Sequence, residues 1–205
     1  MISQRLFGLM TLSFMLLLPA PAKAEPVVGQ PAPTFSAEAA EGGTLNLAAL
    51  RGKTVILEWT NADCPFVQKH YQSGNIPNLQ KQALSQNIVW LQVISSAPGK
   101  QGFVDAATAK KLNQERNATP ANTVFDPDGS VGKLYGATNT PQLFIIDSKG
   151  VLLYKGGIDS IASADQAEIA TAENYIASAL KELAAGKPIS KAVTKPYGCT
   201  VKYAG

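Results

Sequence analysis

The sequence predicts an α/β fold: a central mixed β-sheet flanked by helices, with an N-terminal extension and a C-terminal tail. Three observations carry this. Apolar, β-branched runs at 54–60, 88–94 and 142–147 read as buried strands. Segments of helical character separate the first strands, so the order runs β-α-β-α-β and implies strands that are mostly parallel and covered on both faces. The run at 142–147 is then followed after Ser148-Lys-Gly150 by a partner at Val151 to Tyr154, a hairpin that adds an antiparallel edge.

Taken in order, Pro26 to Phe35 is rich in Pro and Gly and reads as an extended entry. Glu41-Gly-Gly-Thr44 is a turn ahead of Leu45, Leu47 and Leu50, and Arg51-Gly52-Lys53 leads into the first strand, Thr54-Val-Ile-Leu-Glu-Trp-Thr60. A short helix runs from Pro65 to about Gln72. Ser73-Gly-Asn75 breaks it, and Pro77 restarts helix to about Gln86. Ile88–Ile94 is the second strand and Phe103–Arg116, rich in Ala and Lys, a helix. Asn122–Asp126 is a third strand closed by Pro127-Asp-Gly129, and Val131–Tyr135 is at most a short helix. Asp165–Ala184 reads as one amphipathic helix ended by Gly186-Lys-Pro188. The tail, residues 187–205, reads as irregular and carries Cys199. No repeats, charge blocks or low-complexity stretches interrupt the chain.

The N-terminus has the pattern of a secretory leader. Arg5 gives a positive start, Leu6 to Leu18 is apolar, and Ala22-Lys-Ala24 fits a cleavage site, so residues 1–24 are expected to be removed. The apolar stretch is too short to span a bilayer, and no other stretch is long and apolar enough to do so. Residues 25–205 then form one domain with a sizeable core, and the leader fits a bacterial periplasm. Arg5 and Lys23 leave with the leader, so the mature chain has 16 basic residues against 15 acidic ones. That balance gives no support for nucleic-acid or anionic-membrane partners. Export also places Cys64 and Cys199, the two cysteines, where a disulfide can persist.

Cys64 is the centre of the chemistry. It follows the first strand where the chain turns, and Pro65 suits the first position of a helix. A thiol there faces free backbone N–H groups and the positive end of the helix dipole, which favour the nucleophilic thiolate. Asp63 beside it opposes ionisation.

With these elements in place the chain resembles the thioredoxin-like redoxins. The peroxiredoxin-like group of the alkyl hydroperoxide reductase and thiol-specific antioxidant superfamily, AhpC/TSA, is the nearest in pattern. The markers are Val28-Gly-Gln-Pro-Ala-Pro-Thr-Phe35, Leu47-Ala-Ala-Leu-Arg-Gly-Lys53, Cys64-Pro-Phe-Val67, Thr138-Asn-Thr-Pro141, Phe144-Ile-Ile-Asp147 and Gly198-Cys-Thr-Val-Lys-Tyr203. The resemblance implies a thioredoxin fold, a cis Pro141 facing the active cysteine, and backbone groups of Thr140 offered to a bound substrate chain. Pro65, Phe66 and Trp59 are expected to flank that groove, although core packing serves Trp59 equally well. The chain departs from its relatives in informative ways. Thioredoxins carry a second cysteine where Val67 stands. Peroxiredoxins place a Thr three residues before their cysteine, whereas Thr60 is four before Cys64, and neither Arg51 nor Arg116 sits in a peroxide-binding motif.

Three readings of Cys199 stay open: a resolving thiol carried to Cys64 by the tail, half of a structural bridge, or a thiol that never meets Cys64. Glu58, six residues before Cys64, stands where thioredoxins keep a buried Asp. A buried carboxyl has a raised pKa and suits proton transfer, but Glu58 could equally face solvent or Lys53. His70, the single histidine, is expected to be an exposed surface residue, and Lys69 and Tyr71 solvated or packing residues. One Cys and one His make a poor metal set, so no metal or other cofactor is expected.

The leading expectation is a thiol–disulfide oxidoreductase acting on protein thiols or disulfides and served by a dithiol electron donor. The alternatives are a peroxidase that forms a sulfenic acid on Cys64, with a peroxide as substrate, and a non-catalytic thiol- or metal-binding or structural module.

Overall fold

The computed structural model describes residues 25–204, so the leader inferred from the sequence lies outside the described residues. Seven strands form one sheet: β1 (Ser36–Ala39), β2 (Thr44–Asn46), β3 (Val55–Trp59), β4 (Val89–Ile94), β5 (Asn122–Phe125), β7 (Gln142–Ile146) and β8 (Leu152–Gly156). Their order is β2-β1-β5-β4-β3-β7-β8. The short β6 (Asn139–Thr140) pairs outside this sheet with β9 (Cys199–Thr200). Helices α1 (Pro65–Gln72), α2 (Asn75–Ser85), α3 (Ala106–Glu115), α4 (Ser130–Tyr135) and α5 (Tyr175–Ala184) complete the domain. Among the described residues, no helix is long and apolar enough to cross a membrane.

The sheet is mixed. Only the β3–β4 and β4–β5 pairs are parallel, and the remaining four neighbours are antiparallel. The β1–β2 hairpin is the unexpected addition. Its strands are short and polar, and half-burial against β5 rather than an apolar run holds them.

The side-chain period of two sorts β3 between two cores. Val55, Leu57 and Trp59 point to one face, where Phe35, Leu91, Val93, Val124, Tyr135 and Phe144 close around them. Ile56 points to the other, with Trp90, Leu143, Ile145 and Tyr154 of the sheet, Val67 and Tyr71 of α1, Ile76 and Leu79 of α2, and Ile176 and Leu180 of α5. Each large apolar side chain so buried contributes about 1.5–3 kcal/mol relative to exposure. Cys64 belongs to this second core.

The helix expected over 165–184 is shorter than its apolar pattern suggested. Asp165 caps a single 3-10 turn at Gln166–Ala170, accepting from the Ala167 N–H. The α-helix starts at Tyr175, where the Asn174 side chain accepts from the Ala177 N–H. Asn174 also bridges back to Asp159 through its backbone, which fixes this second start.

Candidate active site

The site is built where β3 passes into α1. After Trp59 the Asn61 side chain accepts from the Asp63 N–H at 2.9 Å and its carbonyl from the Cys64 N–H at 3.1 Å, a tight turn that delivers Cys64 to the N-cap of α1. Pro65 takes the first helical position, where its missing N–H costs nothing. Asp63 does not face the thiol. Its carboxylate accepts from the Gly102 N–H at 3.0 Å.

Opposite Cys64 lies the Thr140–Pro141 bond, which is cis. The Cys64 thiol points its hydrogen at the Thr140 carbonyl, 3.3 Å away. The tail, expected to be irregular, returns here as an ordered strand. Cys199 pairs with Thr140 and Thr200 with Asn139, and the Val201 N–H extends the contact to the Thr138 carbonyl at 3.0 Å. Asn139 Nδ2 donates to the Gly198 carbonyl at 3.0 Å, and the Tyr203 hydroxyl to that of Ala137 at 2.6 Å. Cys64 is fully buried beneath this strand, whereas Cys199 remains partly exposed.

Both thiols are free, and Cys199 pairs with the residue whose carbonyl accepts from Cys64, which brings the two close enough to shift each other's ionisation. Burial alone would raise the Cys64 pKa. Hydrogen bonds from the Cys199 thiol, the Val67 and Cys199 backbones and the Thr140 side chain outweigh it, and the net shift is downward. For Cys199 burial and the neighbouring Cys64 act in the same direction and push it up to about 11. The pair therefore ionises first at Cys64.

Glu58 is completely buried on the Cys64 side of β3. Burial raises its pKa, and hydrogen bonds from Tyr71 and Trp90, the Arg116 charge and Thr60 oppose this only in part. Tyr71 Oη lies 2.7 Å from Oε1, and Trp90 Nε1 donates to Oε2 at 2.7 Å. Gln92 donates in turn to Tyr71 Oη, and Thr123 to Gln92. Neither cysteine is among these partners.

The remaining residues singled out in the sequence divide. Phe66 is half-buried against the Tyr197 ring and Pro65 is exposed at the rim. Trp59 does not flank the groove. Its side chain points to the other core, against Phe144 and Tyr135, with Nε1 bonded to Ser95. His70 is a correction too. It is fully buried, as is Lys69, and Tyr71 is nearly so. Val67, His70 and Tyr71 stand at i, i+3 and i+4 on α1, so the helical period itself puts His70 on the buried face. Arg51 lies against the Lys149–Gly150 turn and Arg116 stacks on the Tyr71 ring, 4.0 Å from its centroid.

A cysteine capping a helix, opposite a cis-Pro on a mixed sheet of this order, is the arrangement of a thioredoxin-fold redoxin. Within that class the chain belongs to the AhpC/TSA family, whose model matches residues 28–155. The match stops before α5 and before the tail. An uncharacterized conserved protein from Geobacillus kaustophilus has a similar structure, with a TM-score of 0.70 at 20% identity over 92% of this chain and 98% of that one. A hypothetical protein from Sinorhizobium meliloti 1021 is similar at a TM-score of 0.68 and 20% identity, over 89% and 97% of the two chains. The exposed lipoprotein thioredoxin Etrx1 from Streptococcus pneumoniae gives 0.52 at 23% identity, over 73% of this chain and 99% of that one. These likenesses bear on the fold. No curated protein matches the sequence.

Proposed function

We propose that the protein is an exported, periplasmic thiol–disulfide oxidoreductase whose working pair is Cys64 and Cys199. The observation that supports this best is that Thr140, just before the cis-Pro, pairs with Cys199 and accepts from the Cys64 thiol through its carbonyl at 3.3 Å.

In the forward direction the Cys64 thiolate attacks one sulfur of a partner disulfide. A mixed disulfide forms and the partner's other sulfur leaves as a thiolate. That step removes the charge on Cys64, and with it two of the influences that hold the Cys199 pKa high. Cys199 can then ionise and attack the Cys64 sulfur, releasing the second partner thiolate. The partner disulfide has become two thiols and Cys64–Cys199 a disulfide. A dithiol donor reverses the change, and no bound cofactor enters. Glu58, whose pKa burial raises, is assigned as the proton reservoir for the exchange. Thr140, Pro141, Pro65 and Phe66 border the seat that a partner chain would take when the tail lifts. Disulfide exchange is favoured over peroxide reduction because Arg51 and Arg116 are committed to the Lys149–Gly150 turn and the Tyr71 ring, away from the thiol.

A redox titration of the mature protein tests this, with free thiols trapped by alkylation and linked peptides mapped by mass. The expected result is a reversible Cys64–Cys199 bond with a midpoint between roughly −120 and −270 mV, the range of exchange proteins. A bond that resists reduction below about −300 mV would make the bridge structural. No bond at all would remove the exchange reading.

A further inference from the structure

Two residues before Cys199, the tail sends Tyr197 into a buried polar cluster that the exchange steps leave unused. Its hydroxyl donates to Asp159 Oδ1 at 2.5 Å and lies 3.0 Å from His70 Nε2. On the far side of the imidazole, Asn75 Nδ2 is 2.8 Å from His70 Nδ1, and Asn174 Nδ2 donates to Asn75 Oδ1 at 2.8 Å. The network assigns the tautomer. Nδ1 accepts from Asn75, so Nε2 carries the proton and donates to Tyr197, which passes its own to Asp159. Hydrogen bonds aligned in one direction reinforce one another. A neutral His70 agrees with this: burial, with help from the Lys69 charge and against that of Asp159, lowers its pKa to about 4.

The carboxylate at the end of the chain is fixed by a buried cation. Lys69 Nζ is 3.8 Å from Asp159 Oδ2, donates to the Ile161 carbonyl at 3.3 Å, and stands 5.9 Å from the Tyr197 ring centroid. Asp159 Oδ2 itself has no hydrogen-bond partner. Burying such a pair is costly, and apolar residues of the same volume commonly do better for stability alone. The cluster therefore calls for a role besides cohesion. Its connections suggest one. Lys69 and His70 belong to α1, the helix that Cys64 caps, while Tyr197 belongs to the segment that carries Cys199. The Tyr197 ring also meets Phe66, two residues after Cys64, edge to face at 5.9 Å.

We propose that Tyr197, seated by Asp159, His70 and Lys69, is a positioning residue that fixes the Cys199 thiol over Cys64 and so sets how readily Cys199 displaces a partner held there. The inference rests on the reading of Cys64 and Cys199 as an exchange pair.

Tyr197→Phe tests it, because it keeps the ring on Phe66 and removes only the hydroxyl. The variant and the wild type are each equilibrated against glutathione and its disulfide, and the Cys64 pKa is read from the pH dependence of alkylation. In Tyr197→Phe the equilibrium constant for closing Cys64–Cys199 is expected to fall at least tenfold, a midpoint less negative by about 30 mV. The Cys64 pKa should rise as the Cys199 donor drifts away. Tyr203→Phe, which loosens the other tail anchor, should change the constant less than twofold. Asn75→Ala, at the far end of the chain, should shift it in the same direction as Tyr197→Phe by a smaller factor, and serves if Tyr197→Phe fails to fold. A lower melting temperature with an unchanged midpoint would reduce the cluster to cohesion and overturn the proposal. Equal shifts in Tyr197→Phe and Tyr203→Phe would overturn it as well, by assigning the effect to the tail as a whole. If the wild type forms no Cys64–Cys199 bond, this proposal and the exchange reading fall together. If it forms one that Tyr197→Phe leaves unchanged, only this proposal falls.

Discussion

At the scale of single residues, the two acids of the second core are tuned in opposite senses. Cys64 is drawn toward its ionised form by donors that the turn and the tail supply, and Glu58 is drawn toward its neutral form by burial. The second effect has a consequence for stability. A carboxyl whose pKa is raised on folding favours the fold most fully below its unfolded pKa, near 4.5, and that contribution is lost as pH rises through the higher folded value. Each unit of the shift is worth about 1.4 kcal/mol. Glu58→Gln keeps an oxygen for Trp90 and a partner for Tyr71 and has nothing to ionise. Urea unfolding of the variant should therefore give a free energy that gains on the wild type from pH 4 to pH 8, by a kilocalorie or more if the shift exceeds one unit. A difference that stays flat across that range would show that Glu58 is not carried as a buried neutral acid. Comparing the two proteins at each pH cancels groups such as His70, whose pKa shift has the opposite sign.

Among the elements, β9 is the one on which the site turns. It adds itself to Asn139–Thr140 by backbone bonding, the mode in which extended peptides are captured on exposed strand edges. Gly198 makes this possible. Its φ is +114°, and a Cβ there would collide with the Thr140 carbonyl oxygen. Gly198→Ala should cost the docked tail roughly 1–3 kcal/mol. Since 1.4 kcal/mol is a factor of ten in population, Cys64 should be alkylated roughly 5- to 150-fold faster, with the far-UV circular dichroism unchanged. Unaltered protection of Cys64 would mean that β9 is not what covers it. The sequence makes β3, α1, β4 and the β7–β8 hairpin legible, because long apolar runs and a well-placed proline act locally. It conceals β1–β2, whose Ser, Ala and Glu residues are held by pairing to β5 and not by any preference of their own. It also suggests one helix over 165–184, since an apolar period does not register the second cap at Asn174. At the site, Cys64 could be read from neighbouring residues and the cis-Pro from the family resemblance. The meeting of His70 with Asp159 and Tyr197 could not, because those contacts span 89 and 127 positions of chain. The i, i+3, i+4 spacing of Val67, His70 and Tyr71 was the one local sign that His70 is buried.

For the molecule as a whole, oxidation joins two points 135 positions apart, the helix α1 and the end of the tail. In the chain-entropy model such a closure stabilises the fold by at most roughly 5 kcal/mol, by constraining the unfolded chain. The folded protein moves that figure in two directions. The tail is already docked with Cys199 paired to Thr140, the residue that Cys64 bonds, so little order remains to be imposed and the bond closes easily. Yet the reduced state is itself favoured, because the donors that lower the Cys64 pKa stabilise a thiolate that the disulfide abolishes. Oxidised protein should therefore unfold at higher denaturant than reduced protein, by clearly less than the full closure value. The size of the gap is fixed by a thermodynamic cycle. It must equal the difference between the midpoints of the Cys64–Cys199 couple in the native and the urea-unfolded chain, about 1.4 kcal/mol for every 30 mV. Unfolding curves of the two redox forms and titrations with and without urea measure the four sides independently. A reduced form more stable than the oxidised one would mean that the fold strains the bond and that the protein works as an oxidant. A gap at the full closure value would mean that the native state adds nothing to favour the dithiol, as expected of a structural bridge.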